Sequence, residues 1–202
     1  MRVLVACECS GRVRDAFIAK GHDAVSCDIQ DTETPGPHIK DNVLNHLDEG
    51  WDMMIAHPPC TRLANSGVRW LHNPPKGKTR DQVWQELEEG VEFYLALRDA
   101  NIPKRCIENP VMHFYAKECV NPGPRQVVQP WWFGEEAFKA TGFELINLAP
   151  LVPTNKLTPP AKGTDEHKQW SWLSNLPESK ERAKIRSRTF KGIAEAMAEQ
   201  WG

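Results

Sequence analysis

Two short motifs in this 202-residue chain carry side chains suited to covalent and acid–base chemistry, Pro58-Pro59-Cys60 and Glu108-Asn109-Pro110. A cysteine is nucleophilic as its thiolate, and a helix amino terminus or a nearby cation lowers its pKa from about 8.5. Arg62 is the candidate cation for Cys60. A glutamate held in a dry pocket has its pKa raised and keeps a proton to donate, the role open to Glu108. Further candidates are Glu8 within Cys7-Glu8-Cys9-Ser10-Gly11, and the acids Asp28 and Asp41. Taken singly, each has an ordinary explanation. A cysteine after a strand is more often a small core residue than a nucleophile. Glu108, Asp28 and Asp41 are residues that also cap turns and helices or face solvent. Cys7 and Cys9 lack a matched second pair, so no metal is expected.

The elements around these residues give them a common position. Arg2 to Ala6 is a short β-branched run. A small-residue turn follows, then Val13, Phe17 and Ile18 at helical spacing up to Gly21, and a second strand from Ala24 to Cys27 closing on Asp28. Asp52 to Ala56 reads as a buried strand that stops at His57-Pro58-Pro59, because proline donates nothing to a sheet ladder. Thr61 to Lys78, punctuated by glycine and proline and rich in Arg and Lys, reads as a mobile loop. Val83, Leu87, Val91, Tyr94 and Leu95 then predict an amphipathic helix starting after the possible caps Thr79 and Asp81 and ending near Asn101. Arg105 to Ile107 is a short strand running into Glu108, and Phe143 to Leu148 a later one. Strands alternating with helices predict an α/β fold with a mostly parallel sheet, which holds ligands at the carboxyl ends of its strands. Glu8 to Gly11, Asp28, Asp41, Cys60 and Glu108 all fall at or just after such ends.

Forty per cent hydrophobic residues in this length fit one domain, 1–202, in which 111–187 forms a small irregular region. The apolar run near Met1 is too short for a signal peptide and no stretch is long enough for a membrane span, so a cytoplasmic protein with reduced thiols is expected. A net charge of −2 excludes blanket attraction to nucleic acid, although Lys and Arg outnumber Asp and Glu between Lys156 and Lys191. That run suits a solvated helix face as well as a phosphate-binding one.

At Pro58-Pro59-Cys60 and Glu108-Asn109 the chain resembles the cytosine-5 DNA methyltransferases, whose nucleophile follows a Pro-Pro pair and whose base-binding glutamate opens a Glu-Asn motif. The order of motifs matches from Arg2 to Pro110. The resemblance implies a Rossmann-like sheet of the S-adenosylmethionine-dependent type with a small irregular C-terminal extension. It places Ala6, Cys7, Glu8, Ser10, Gly11, Asp28, Asp41 and Pro58 against the S-adenosylmethionine cofactor, with Asp28 on the ribose and Asp41 on the adenine. Cys60, Glu108 and Arg125 become catalytic residues, and Pro59, Arg62, Asn109 and Gln126 substrate contacts. Arg188 to Gly202 matches the family's closing helix. Ala6 stands where the family has an aromatic residue, Glu8 where it has a glycine, and Pro110 where it has a β-branched residue.

The chemistry demands these residue types. Carbon 5 of a pyrimidine is a poor nucleophile until a thiolate adds at carbon 6, and an acid at ring nitrogen 3 neutralises the charge that develops. About sixty residues separate Gln126 from Arg188, which leaves a reduced region for reading DNA. Trp131, Trp132, Phe133, Trp170 and Trp172 are interleaved there with Lys139, Lys156, Lys162 and Lys168, a composition suited to stacking bases and holding phosphates. Packing of a small subdomain accounts for Trp131 and Trp132 at least as well. The expected activity is transfer of a methyl or related group to carbon 5 of cytosine in duplex or single-stranded DNA. Modification of a free pyrimidine nucleotide and a catalytically silent DNA-binding module are the alternatives.

Overall fold

In the computed structural model, which describes residues 1–202 except the side chain of Lys180, the β-branched, apolar run Arg2–Ala6 forms strand β1, an inner strand of a seven-stranded sheet. The chain continues through helix α1 (Arg12–Ala19), β2 (Asp23–Asp28), β3 (His38–Lys40) and β4 (Met53–Ala56). Helices α2 (Arg69–His72) and α3 (Arg80–Arg98), strand β5 (Lys104–Glu108) and helix α4 (Phe114–Val120) follow. Strands β6 (Arg125–Val128) and β7 (Thr141–Ile146) precede helices α5 (Asp165–Trp170), α6 (Trp172–Asn175), α7 (Lys180–Ser187) and α8 (Lys191–Trp201). The sheet order is β3-β2-β1-β4-β5-β7-β6, with β3 to β5 parallel and β7 antiparallel to both β5 and β6. Among the described residues no helix is long and apolar enough to cross a membrane.

Side chains alternate across a strand, and both faces of this sheet are covered, so its central strands are apolar throughout. Val3, Val5, Met53, Ile55 and Cys106 face a core built with Val13 and Phe17 of α1 and Ile193, Met197 and Trp201 of α8. Leu4, Ala6, Met54, Ala56 and Ile107 face the other core, built with Val83, Leu87, Tyr94 and Leu97 of α3 and Ala116 and Val120 of α4. Each fully buried Val, Leu, Ile or Met contributes about 1.5–3 kcal/mol. Helix α3 starts at a capping box in which Thr79 and Gln82 satisfy each other's backbone amides. It ends at Arg98, earlier than its pattern suggested.

Thr61 to Lys78 departs from the loop expected there. Its residues form a 3-10 turn at Asn65–Gly67 and helix α2, and Leu63 and Leu71 are buried. Its arginine and lysine do not keep it off the protein, because Arg62 and Lys78 both pair with Glu86 of α3 and Trp84 donates its indole N–H to the Leu71 carbonyl. Strands β3 and β6 and helix α4 also lie outside the elements anticipated. They have three, four and seven residues, too few to express a period.

The connection after β2 is organised by Arg14, whose side chain is 0% exposed. Its guanidinium donates to the Ser26, Thr32 and Thr34 hydroxyls and to the carbonyls of Thr34 and Pro35. A buried cation survives when it is paired and its donors are met; here Nε donates to the Asp15 carboxylate at 2.8 Å and the loop takes the other donors. Gly11 turns the chain into α1 at φ 72°, and a Cβ on it would sit 2.3 Å from the Thr34 hydroxyl and 2.4 Å from the guanidinium. Only glycine serves at that position.

Candidate active site

The sheet register fixes which residues meet. Cys27, Ala6, Ala56 and Ile107 lie in one row across β2, β1, β4 and β5. The next residues along, Asp28, Cys7, His57 and Glu108, are therefore neighbours at the carboxyl edge. His57 and Glu108 continue the two-residue alternation onto the same face, and Nδ1 of His57 lies 2.8 Å from Oε2 of Glu108. Antiparallel β7 sets Phe143 opposite Glu108, so the loop entering β7 brings Lys139 to the same edge.

Cys60 is exposed, in a tight turn where its carbonyl accepts from Leu63 N at 3.0 Å and Ala64 N at 2.8 Å. Desolvation and the neighbouring Glu108 carboxylate raise its thiol pKa, and Lys139 acts in the lowering direction. The lowered thiol anticipated beside Arg62 is thus not what the free protein holds. Arg62 Nη2 is 2.6 Å from Glu86, and the cation whose charge reaches Cys60 is Lys139. Lys139 carried no signal in sequence beyond its place in an aromatic, basic stretch. Glu108 also departs from expectation. Burial raises its carboxyl pKa, but the hydrogen bond and charge of His57, with Lys139 behind them, outweigh that effect and hold it below the ordinary carboxylate value. In the free protein Glu108 is an anion.

Other residues near this edge are differently engaged. Asn109 is buried, its backbone N–H donates to Gly142 O at 2.8 Å, and its side-chain oxygen has no partner among the described residues. Arg125 is exposed and donates to the Pro110 carbonyl at 2.7 Å. Gln126 has both ends of its amide bonded to the backbone of Leu151, each at 2.8 Å, so it clamps a loop in this arrangement. Pro58 is buried and Pro59 exposed on the way to Cys60.

At the β1–β2 end, Ala6 closes β1, and Cys7 turns the chain at φ 58° with its thiol pushed up to about 12 by desolvation and by Asp28 and Cys27. Glu8 is 4% exposed; its carboxylate accepts from Val13 N at 2.8 Å, Arg14 N at 3.3 Å and the Ser10 hydroxyl at 3.0 Å. It thereby fills the anion-seeking amino terminus of α1 with the chain's own carboxylate. Asp41 accepts from Asn42 N, Asn45 and His46, and these bonds lower its pKa. Among the described residues the Asp28 carboxylate accepts only from Gln30 N, at 2.9 Å, and keeps an oxygen in hand. Beside it, Ile29 is 73% exposed, an apolar side chain just beyond the end of β2. The wall of this end is the β2–β3 connection, where Glu33 pairs with Arg188 at 2.8 Å and Lys184 at 3.2 Å.

No family model matches the chain, and no curated protein matches it. Solved structures do resemble it in fold. One is the structure of the Entamoeba histolytica methyltransferase EhMeth, with a TM-score of 0.51 and 13% identity, covering 78% of this chain and 57% of that one. The chain thus spans little more than half the length of that structure. At such identity the likeness is one of architecture, a Rossmann-like α/β fold built on the mostly parallel sheet described above.

Proposed function

We propose that this protein transfers a methyl or related one-carbon group to carbon 5 of cytosine in DNA, through a covalent adduct at Cys60. The observation that carries this reading is that an exposed thiol and a half-buried carboxylate, 48 residues apart in sequence, stand just beyond the ends of adjacent parallel strands, near enough for Glu108 to raise the Cys60 thiol pKa. In this reading Cys60 Sγ bonds to carbon 6 of the ring. Glu108 faces ring nitrogen 3 and holds a proton there while charge develops.

S-adenosylmethionine is tested by the donors available to it. Asp28, with a free carboxylate oxygen, and exposed Ile29 suit a ribose and a flat base. Glu8 and Asp41 are already spent on the chain's own amides and side chains, so they are withdrawn from that set. The fit therefore rests on the β2 end and the Cys7 to Gly11 turn. When bound, the cofactor supplies an electrophilic methyl group. The target base has to leave a duplex to reach Cys60, at a cost of a few kcal/mol and less from a single strand. Lys156 above the ring of Trp131 and half-exposed Trp172 are features suited to a nucleic-acid strand.

A second reading, a silent DNA-binding module, is favoured by the same withdrawal of Glu8 and Asp41. Incubation with labelled S-adenosylmethionine against duplex DNA, single-stranded DNA and deoxycytidine nucleotide, followed by nucleoside analysis, separates the readings. The proposal expects label in 5-substituted cytosine from DNA and a mass increase at Cys60 when the substrate carries 5-fluorocytosine. Label only in the mononucleotide selects the free-nucleotide alternative. DNA binding without label, unchanged by Cys60→Ala, selects the silent module.

A further inference from the structure

We propose that His57 is a positioning and proton-holding residue for Glu108, the imidazole and carboxylate acting as one unit that supplies the proton for the target ring; this rests on the function proposed above. The register makes the contact unavoidable. His57 and Glu108 each stand one residue beyond the paired row Ala56–Ile107, on the same face of neighbouring strands, and meet at 2.8 Å. The His57 side chain is only 8% exposed. Its other nitrogen, Nε2, is buried with no hydrogen-bond partner among the described residues. A histidine placed only to support the fold has both nitrogens satisfied; this one is held through Nδ1 alone.

The pairing resolves a conflict within the site. An acid that meets ring nitrogen 3 has to bring a proton, yet Glu108 in the free protein is ionised. With the imidazole doubly protonated, the pair carries the missing proton at the Nδ1–Oε2 contact. Cys60, a neutral and exposed thiol in the free protein, first gives its proton to solvent; as the resulting thiolate bonds to carbon 6, the displaced ring electron pair collects at nitrogen 3 and takes a proton from the Glu108 carboxyl group. That group is resupplied from His57 Nδ1, and the imidazole is left neutral with its proton on Nε2. After carbon 5 has accepted the one-carbon group, its hydrogen leaves as a proton to water, that C–H electron pair re-forms the ring double bond, and the carbon 6–sulfur bond breaks to release thiolate; nitrogen 3 returns its proton to the pair, which ends as it began. The other ionisable groups around the pair are Cys60 after β4, Cys106 on β5, Lys139 before β7, and Cys7 and Glu8 after β1. Cys106, Cys60 and Cys7 all have raised thiol pKa values and enter as neutral groups. Glu8 is already bonded to α1, and Lys139 is the cation that favours the ionised carboxylate.

The test is the pH profile of kcat/KM for transfer to DNA by wild-type protein, His57→Asn and His57→Gln. Asparagine places an amide N–H near Nδ1, so it keeps the bond to Glu108 but does not ionise. A carboxyl group alone releases its proton at lower pH than an imidazolium paired with it. The alkaline limb of His57→Asn is therefore expected to move toward acid by about one unit or more. His57→Gln provides the same comparison if the asparagine variant does not fold. In parallel, proton NMR of the wild type is expected to show an exchange-protected, low-field ring N–H that disappears in Glu108→Gln. An unmoved or alkaline-shifted limb, or the absence of that resonance, overturns the inference while leaving the transfer reaction standing. Wild-type protein that transfers nothing at any pH overturns the functional reading and this inference together.

Discussion

The Glu108 carboxylate stands close enough to Cys60 to raise its thiol pKa, so one of the two groups that are to hold one ring disfavours the other's charge before the ring arrives. Glu108→Gln removes the anion and should lower the Cys60 pKa. Alkylation of Cys60 by iodoacetamide near pH 8, followed by peptide mass mapping, is expected to quicken about three- to tenfold. Transfer by the same variant should fall at least about a hundredfold if the acid supplies the proton. A thiol that becomes more reactive while turnover collapses distinguishes chemistry from general damage.

Lys139 acts in the opposite direction, lowering the pKa of both Cys60 and Glu108. In Lys139→Met both values are expected to rise, so Cys60 alkylation at neutral pH slows by about three- to tenfold. The same assay carried out on Arg62→Met should give a near wild-type rate, because Arg62 is paired with Glu86. Equal slowing in the two variants would remove Lys139 from its assigned place.

Gly11→Ala should cost about 3 kcal/mol or more in urea unfolding, since it adds a Cβ at φ 72° against a buried guanidinium and a bonded hydroxyl. Gly77→Ala is the control. It has a φ of 87° with nothing within 4 Å of the added atom, so only the conformational cost of about 1–2 kcal/mol applies. A similar loss in both would mean that Arg14 yields without resistance.

Burial raises the Glu33 pKa, but Arg188 and Lys184 more than offset it, and the net value lies below the ordinary 4.5. A carboxylate whose pKa is lower folded than unfolded stabilises the fold above the unfolded value, and that contribution disappears as pH falls through the folded one. The wild type should accordingly be more stable than Glu33→Gln at neutral pH, with the gap closing below pH 4.5. Denaturant midpoints measured for both proteins between pH 3 and 7, the span bracketing about 4.3 for a free glutamate, give the comparison. A gap that persists at the acid end would place the stabilisation elsewhere than in these ion pairs.

What sequence conveyed depended on the length of each signal. β1, β2, β4 and β5 are short apolar runs ended by glycine, proline or acid, and α3 repeats over five turns, so these were legible, and with them the edge that holds Cys60 and Glu108. The pair His57–Glu108 was not, although both positions stood in plain view next to the motifs. Its signal is a register between strands whose paired residues lie 51 positions apart, which no local pattern encodes. Arg14 was hidden for a similar reason. An arginine in an amphipathic helix reads as solvated, and its burial is explained by the adjacent Asp15 carboxylate together with hydroxyls and carbonyls of a distant loop. Glu8 stands out in sequence as an acid in a glycine position, and its carboxylate caps the amino terminus of α1.

Because β7 is the single strand that runs backwards, the crevice receives the beginning of a strand there, whereas every other strand delivers its finish. The segment carrying Lys139 is thereby free to lengthen, shorten or exchange its charge without shifting any residue that the parallel strands present. Variation in that one approach would retune the shared proton and the sulfur together, an economical handle for evolution on a site otherwise locked by its neighbours.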